Sequence, residues 1–289
     1  MISLDPKELS TQKIHAYLLS SVAPRPIALA STVDEKGNPN LSPFSYFNVF
    51  SANPPILVFS PARRVRDNTT KHTLENVKSI KEVVINVVNY DMVQQTSLSS
   101  TEYDKGVNEF EKSGLSMLKS DIVKPYRVAE SPVQFECMVN DVVSLGEEGG
   151  AGNLVICEVL RFHISKDVLD NNEHIIQEKL DLVARAGGNY YNRAKKGFFE
   201  VPKPTRVLGI GVDAMPEEVR NSMILTGNDL GMLGNVESLP SKGEVDEYIS
   251  SVSERYPNIE NMGQREKHKI ARNYLSYGDV SSAWKLLLS

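Results

Sequence analysis

The sequence contains little cysteine: Cys137 and Cys157 are the two thiols among 289 residues. So few cysteines exclude a disulfide framework. Both fall in predicted strands, 133–145 and 153–165, which the glycine-rich turn GEEGGAG connects. Folding the strands about that turn places Cys137 opposite about residue 162, too far from Cys157 for a disulfide. We therefore expect two buried, reduced thiols.

Histidine is also scarce, and its positions do not suggest a metal centre. The five histidines show no ligand spacing with one another or with the cysteines; they are His15, His72, His163, His174 and His268. Metal sites built on these residue types normally show short, regular spacings. We expect neither a structural nor a catalytic metal.

Long apolar runs are missing, and no stretch approaches the length of a membrane-spanning helix. The first residues, MISLDPKELSTQK, carry Asp5 and no basic region leading into an apolar run. Neither a secretory signal nor a transit peptide is indicated. These features predict a cytoplasmic protein without a membrane partner.

Excess positive charge is absent as well, because the formal net charge is −5. Broad attraction to nucleic acid or to anionic lipid is therefore disfavoured. With 40% apolar and 24% charged residues, the composition is that of an ordinary globular protein. The expected partner is a small molecule or another protein, and not a nucleic acid.

Extended segments dominate as far as about residue 200. Two runs surround a turn at 34–38 and predict a hairpin, and the short apolar runs 56–60 and 83–88 predict buried strands. Between those runs, Leu74, Val77 and Ile80 share one side of a predicted helix. Most connections are short or hairpin-like, which favours a mainly β fold, an antiparallel barrel, over a doubly wound sheet.

The pattern becomes helical after VPKPT, residues 201–205, so we divide the chain into domains 1–204 and 205–289. Segment 241–256 begins with a capping box, Ser241 with Glu244, and carries an apolar stripe at helical spacing. Segment 208–216 has a G-x-G but lacks the third glycine of a dinucleotide fingerprint. The glycine-rich segment 225–235 is interpreted as a loop and has no P-loop signature.

A cluster of basic residues precedes the predicted helix that contains Leu74. The cluster consists of Arg63, Arg64, Arg66 and Lys71. Cations are unfavourable at a helix N-terminus unless an anion binds there. Together with free N–H groups and threonine hydroxyls, they would suit a phosphate. The alternative is a solvated basic loop before an ordinary capped helix.

The stretch NLSPFSYFNVFSANPP, residues 40–55, places serines between prolines and aromatic residues. Pro43 interrupts a strand ladder, and Ser42 and Ser45 offer hydroxyls. Phe44, Tyr46 and Phe47 would supply aromatic walls, and such walls with small polar groups suit a flat, partly apolar ligand. The alternative is a bulged edge strand beside an ordinary core.

Six segments in register resemble the flavin reductase family that includes flavoredoxin, over roughly residues 15–200. The segments are PRPI (24–27), NLSPFSYFN (40–48), NPP (53–55), KHTLEN (71–76), ESPVQFEC (130–137) and ARAGGNYY (184–191). The resemblance implies an FMN-binding split β-barrel with peripheral helices, a homodimer, and a C-terminal helical extension beyond the common domain.

The resemblance also implies where the cofactor lies. Residues 42–45 would border the isoalloxazine ring, Ser60 and the following loop would approach the ribityl chain, and Lys71 with Thr73 would hold the phosphate. The full candidate set is Ser42, Pro43, Phe44, Ser45, Ser60, Arg63, Lys71, Thr73, Arg185 and Tyr190. No catalytic acid or base is assigned.

Two departures from the family pattern stand inside this set. The family commonly has Lys-Asp-Thr where this chain has Lys71-His72-Thr73. It also has Arg-Leu-Gly-Gly where this chain has Arg185-Ala186-Gly187-Gly188. His72 would either add a positive partner for a phosphate or point to solvent.

The function implied is an FMN-dependent oxidoreductase that takes hydride from NADH or NADPH and passes electrons to an acceptor. One alternative is a flavoredoxin-like electron carrier with a protein donor or acceptor and no nicotinamide activity of its own. Another is a flavin-free scaffold whose helical tail binds a protein. The nicotinamide, the terminal acceptor and the role of the tail stay open.

Overall fold

The computed structural model describes residues 1–204 and 208–289, which fall into two units, Met1–Phe199 and Glu200–Ser289. The boundary predicted from the sequence, after residue 204, lies shortly beyond this division, and residue 205 lies outside the described residues. Each unit has a core of its own.

The first unit is built on an antiparallel sheet of seven strands in the order β2-β1-β5-β8-β9-β4-β3. Its strands are β1 Ala28–Val33, β2 Pro39–Phe44, β3 Phe47–Ala52, β4 Pro55–Phe59, β5 Glu82–Val87, β8 Val133–Ser144 and β9 Asn153–Ile164. Two further pairs are short: β6 Met117–Leu118 with β7 Arg127–Val128, and β10 Val183–Arg185 with β11 Tyr191–Arg193. The predicted fold class, a mainly β split barrel with peripheral helices, is confirmed.

The barrel curls because its two edge strands, β2 and β3, are consecutive in the chain and separated only by residues 45–46. Phe44 at the end of β2 packs against Phe59 at the end of β4, with ring centroids 5.3 Å apart. The main-chain N–H of Ser60 donates to the Tyr46 oxygen at 2.8 Å. These contacts hold the edge strands beside one core.

The predicted hairpin β1–β2 is confirmed, and Asp34 stabilises its turn. The Asp34 carboxylate accepts from the N–H groups of Lys36 and Asn38, both at 2.9 Å. Gly37 has a φ of +82°, which a side chain would disfavour. The predicted strands at 56–60 and 83–88 correspond to β4 and β5.

The predicted register of the β8–β9 hairpin is wrong by three residues at Cys137, which lies opposite Val159 and not residue 162. The turn pairs Ser144 with Asn153, which accounts for two of these residues, and a register shift between Val139 and Asp141 accounts for the third. Both thiols are free and fully buried. Burial raises the pKa of each one above its usual range.

Helices surround the barrel, and α2 is the one that positions the site. The helices of this unit are α1 Thr11–Ser21, α2 His72–Ile80, α3 Val93–Leu98, α4 Glu109–Ser113 and α5 Gln177–Leu180. As predicted, α2 turns Leu74 and Val77 into the barrel core. It is amphipathic, since its exposed face carries Glu75 and Lys78.

The second unit is helical, as its sequence indicates. Its helices are α6 Glu217–Arg220, α7 Gly227–Gly234, α8 Lys242–Val252, α9 Gln264–Ser276 and α10 Val280–Leu287. The predicted capping box of Ser241 with Glu244 is present. The interpretation of 225–235 as a loop is wrong, because a second capping box, Thr226 with Asp229, starts α7 there.

Trp284 lies at the centre of the helical unit. Its side chain is 1% exposed, and its indole N–H donates to the Leu233 main-chain oxygen at 2.9 Å.

Among the described residues, no helix is long and apolar enough to cross a lipid bilayer.

Candidate functional site

The N-terminus of α2 has main-chain N–H groups without partners. Lys71 is the N-cap, and its side chain makes no capping hydrogen bond. Within the described part of the chain, the N–H groups of His72 and Thr73 form no main-chain or side-chain hydrogen bond. Such groups, together with the helix dipole, attract an anion.

A cation also lacks a partner at this helix end. The Lys71 ammonium forms no hydrogen bond or ion pair with any described residue, although the side chain is half-buried. Burial, and secondarily the charge of Arg64, lowers the pKa of Lys71 below its usual 10.5. A bound anion would compensate for both effects.

Lys71 faces a small cavity between β2, α2 and the segment that follows α3. The cavity lining is Asn40, Ser42, Arg64, Lys71, His72, Thr73, Ser99, Thr101, Glu102, Tyr103 and Glu109. It brings together three of the predicted residues: Ser42, Lys71 and Thr73. His72, where the sequence departs from the family pattern, lies in the same lining.

A buried network fixes the orientation of Thr73. Glu109, 4% exposed, accepts from the Asn40 amide at 2.9 Å and from the Leu41 N–H at 3.0 Å. The amide oxygen of Asn40 thus faces Thr73, whose hydroxyl donates to it at 2.8 Å. Because that proton is engaged, Thr73 offers the cavity its main-chain N–H. Burial raises the pKa of Glu109.

The three arginines of the basic cluster are held by other groups. Arg63 donates to the side-chain and main-chain oxygens of Asn68, at 2.5 and 2.6 Å. Arg64 pairs with Glu102 at 3.0 Å, and Arg66 with the same carboxylate at 2.7 Å. Of these three arginines, Arg64 is the one that lines the cavity with Lys71.

The aromatic stretch 40–55 is an edge strand in part, since Pro39–Phe44 forms β2. Pro43 lies inside this strand opposite Leu29, so it does not end the ladder as the sequence suggested. An edge position tolerates proline. The Phe44 ring is 7% exposed and packs in the barrel core. Its side chain therefore does not form a ligand wall, which corrects that expectation.

Ser45 is linked to the β10–β11 hairpin through Arg25, a residue that the candidate set omitted. Arg25 is 6% exposed; its Nε donates to the Ser45 hydroxyl at 3.4 Å and its Nη2 to the Ala186 oxygen at 3.3 Å. Nη1 donates to the oxygens of Leu19 and Val22 at 2.5 and 2.6 Å. Arg25 thus joins three segments that border Ser45.

Arg185 and Tyr190 both lie on this hairpin. The Arg185 guanidinium donates to the Gly188 oxygen at 2.9 Å and stacks on Tyr191, 4.6 Å from the ring centroid. Tyr190 is 78% exposed. Neither residue lines the cavity that contains Lys71; the hairpin is linked to Ser45 through Arg25, which bonds the oxygen of Ala186.

Ser60 anchors the tip of the β8–β9 hairpin. Its hydroxyl accepts from the Asn153 N–H at 3.0 Å, and a Cβ at Gly152 would approach that oxygen to 2.7 Å. The Arg63 N–H and oxygen pair with Ala151 and Gly150 at 2.8 and 3.0 Å. This packing positions the arginine loop. The glycine content of GEEGGAG is the signal that could have indicated it.

The comparisons with known proteins agree with this architecture. A family model described as a flavin reductase like domain matches residues 19–195. An uncharacterized protein of Aquifex aeolicus is 36% identical over 188 residues, which are 65% of this chain and 93% of that protein.

Two solved structures are similar to the same part of the chain. Nitrilotriacetate monooxygenase component B from Bacillus cereus aligns with a TM-score of 0.65 and 28% identity, covering 70% of this chain and 98% of its own. A split barrel domain protein from Shewanella frigidimarina, named as a candidate flavin reductase, aligns with a TM-score of 0.59 and 25% identity, covering 70% and 100%. The chain therefore belongs to the flavin reductase-like family.

Proposed function

We propose that the protein binds FMN and transfers electrons from NADH or NADPH to an acceptor. The observation that carries this proposal is the half-buried Lys71 ammonium, which has no partner within the described residues and faces a cavity at the α2 N-terminus. A phosphate monoester would supply the missing anion. Membership of the flavin reductase-like family makes a flavin the expected carrier of that phosphate.

The residues present fit the FMN phosphate. Lys71 would donate a charge-assisted hydrogen bond, and the N–H groups of His72 and Thr73 would donate two more. Ser42 lines the same cavity and contributes a hydroxyl. The anion thus meets donors from both a strand and a helix, which fixes its position.

The rest of the proposed site would contact the ribityl chain and the ring of FMN. The main chain of residues 42–45 would border the ring, with Ser45 oriented by Arg25. Ser60 would face the ribityl chain through its remaining donor, since its oxygen already accepts from Asn153. Arg185 and Tyr190 on the β10–β11 hairpin would cover the ring edge beyond Ser45.

FMN, when bound, would supply the redox chemistry, namely hydride transfer from a dihydronicotinamide and electron transfer to an acceptor. The protein has to orient the ring, exclude competing reactions and place polar groups beside it. No side chain of this chain needs to act as a dedicated acid or base, so we assign no catalytic residue.

We also propose that the protein is a homodimer. The edge strand β3 exposes Val49 and Phe50, which are 64% and 68% exposed. Two large apolar side chains on a free strand edge favour association with a second copy. Sedimentation equilibrium of the wild type and of Phe50→Glu tests this: we expect a dimer and a monomer, respectively, and a monomeric wild type would contradict it.

The purified protein should show the absorption bands of an oxidised flavin, alone or after FMN is added and excess removed. Anaerobic mixing with NADH and with NADPH should then bleach those bands. Absence of any flavin binding would refute the proposed function. Binding without bleaching by either nucleotide would leave an FMN-containing electron carrier in place of a nicotinamide-dependent enzyme.

A further inference from the structure

Two acidic residues line the cavity at the α2 N-terminus: Glu109, whose carboxylate is engaged by Asn40 and Leu41, and Glu102. Glu102 lines the same cavity as Lys71 and Arg64. Its carboxylate accepts from Arg64 Nε at 3.0 Å and from Arg66 Nη2 at 2.7 Å. Asp67 also pairs with Arg66, at 3.2 Å, so the charges of these two guanidinium groups are balanced by two carboxylates.

Lys71 and Arg64 are the less exposed charged groups at this cavity, and Glu102 and Arg66 are the more exposed ones. The Lys71 side chain is half-buried and has no ion-pair partner among the described residues. The side chain of Arg64 is 17% exposed, that of Glu102 is 42% exposed and that of Arg66 is 71% exposed. An anion at Lys71 would therefore lie beside the less exposed groups, and Glu102 belongs to the more exposed ones.

This arrangement favours a ligand that ends in one phosphate over a ligand that carries two linked phosphates. A terminal phosphate needs only the inner donors, namely Lys71 and the first N–H groups of α2. A second phosphate, esterified to the first, would lie further out, where Glu102 presents a negative charge. The two arginines that could have bound it are already paired with that carboxylate. Repulsive elements of this kind give specificity at some cost in affinity.

We propose that Glu102 is a specificity-determining residue that restricts the site to flavins ending in a monophosphate and rejects flavins carrying a diphosphate. This inference rests on the proposed function. In the proposed site Glu102 would lie at the phosphate and not at the ring, so it would act through Arg64 and Arg66 as a positioning residue.

The test compares the dissociation constants of riboflavin, FMN and FAD for the wild type and for Glu102→Gln at fixed ionic strength. Loss of the carboxylate removes a like charge and one partner from each arginine, while Arg66 keeps Asp67 and Arg64 keeps the oxygens of Thr69 and Thr70. FAD should bind about tenfold more tightly to the variant and FMN about threefold, whereas riboflavin should change less than about twofold.

Two further variants exclude a general effect of charge or of folding. Glu75→Gln removes an exposed acid from the first turn of α2 that pairs with Lys105 and does not line the cavity, so it should leave the FMN-to-FAD ratio unchanged. Combining Glu102→Gln with Arg66→Gln should abolish most of the gain in FAD affinity, because the Arg66 guanidinium is then missing.

The outcomes separate this inference from the proposed function. If the wild type binds FMN and Glu102→Gln leaves the FMN-to-FAD ratio unchanged, or weakens both ligands equally, Glu102 has only a structural role and the inference is overturned. If the wild type binds no flavin at all, both the proposed function and the inference are overturned.

Discussion

Arg25 and Ala186 lie 161 positions apart in the chain, yet the Arg25 Nη2 donates to the Ala186 main-chain oxygen at 3.3 Å. The backbones of Arg25 and Arg185 also pair, with N···O distances of 2.9 and 2.8 Å in the two directions. The β10–β11 hairpin is therefore tied to the segment before β1, and both border Ser45. One buried guanidinium determines the shape of that side of the proposed ring site.

Arg25→Gln should lower the free energy of unfolding by about 3 kcal/mol, because it leaves partly buried main-chain oxygens of Leu19, Val22 and Ala186 without a charged donor. Urea denaturation measures this. Arg25→Lys, which keeps the charge but loses the planar fork, should recover part of the loss. A stability equal to that of the wild type would show that Arg25 does not hold the three segments together.

Lys71→Ala should weaken FMN binding by about 1.5 to 3 kcal/mol, because the phosphate loses a charge-assisted hydrogen bond. Titration followed by quenching of flavin fluorescence gives the dissociation constant. Lys78→Ala removes an exposed cation from the last turn of the same helix and serves as the matched control. Equal affinities of the Lys71 and Lys78 variants would contradict the phosphate assignment.

Glu136 should contribute to stability in acid. Its carboxylate is fully buried; burial alone would raise its pKa, but hydrogen bonds from Asp121, Ile122, His163 and Val123 lower that pKa from 4.5 to about 2. A lowered pKa stabilises the fold above pH 4.5, and this contribution is lost as the pH falls toward 2.

Glu136→Gln should therefore be less stable than the wild type at pH 7 by about 3 kcal/mol, and the difference should shrink between pH 4.5 and 2. Urea denaturation across that range measures it. Glu111→Gln, at an exposed position on α4, is the control and should follow the wild-type profile. A pH-independent difference would mean that the loss comes from shape and not from ionisation.

Gly149→Ala should lower the free energy of unfolding by about 1 to 3 kcal/mol through overpacking. A Cβ at Gly149 would approach the Arg64 main-chain oxygen to 3.0 Å and the Val65 Cα to 3.1 Å. Main-chain atoms cannot rotate away, so the arginine loop would have to move. Gly197→Ala, whose new Cβ would lie 3.6 Å from the nearest atom, is the control for thermal unfolding.

Local patterns of the sequence predicted most of the strands and the helix α2. The alternation around Asp34–Asn38 and the spacing of Leu74 and Val77 depend on neighbours within one element, so they can be read without the fold. The register of Cys137 could not, because the turn pairs Ser144 with Asn153, two residues from the expected position, and an irregularity between Val139 and Asp141 shifts Cys137 by one more. A shift of this kind leaves no periodic signal.

Residues of the candidate site were predictable from the sequence only where they lie at the N-terminus of a helix that the sequence itself predicts. Lys71 and Thr73 were identified in that way, together with the resemblance to the family. Glu102 and Arg25 were missed because their roles come from partners far along the chain. Phe44 was assigned to a ligand wall because composition does not reveal which face of an edge strand meets the core.

The complete burial of Cys137 and Cys157 gives the protein an internal reporter of strand separation. A neutral alkylating reagent gains access to either sulfur only during moments when the sheet comes apart. The helical unit contributes no sulfhydryl, so the rate of labelling would record barrel opening without interference from helix melting. The opening rate of the first unit could thus be measured without an added probe.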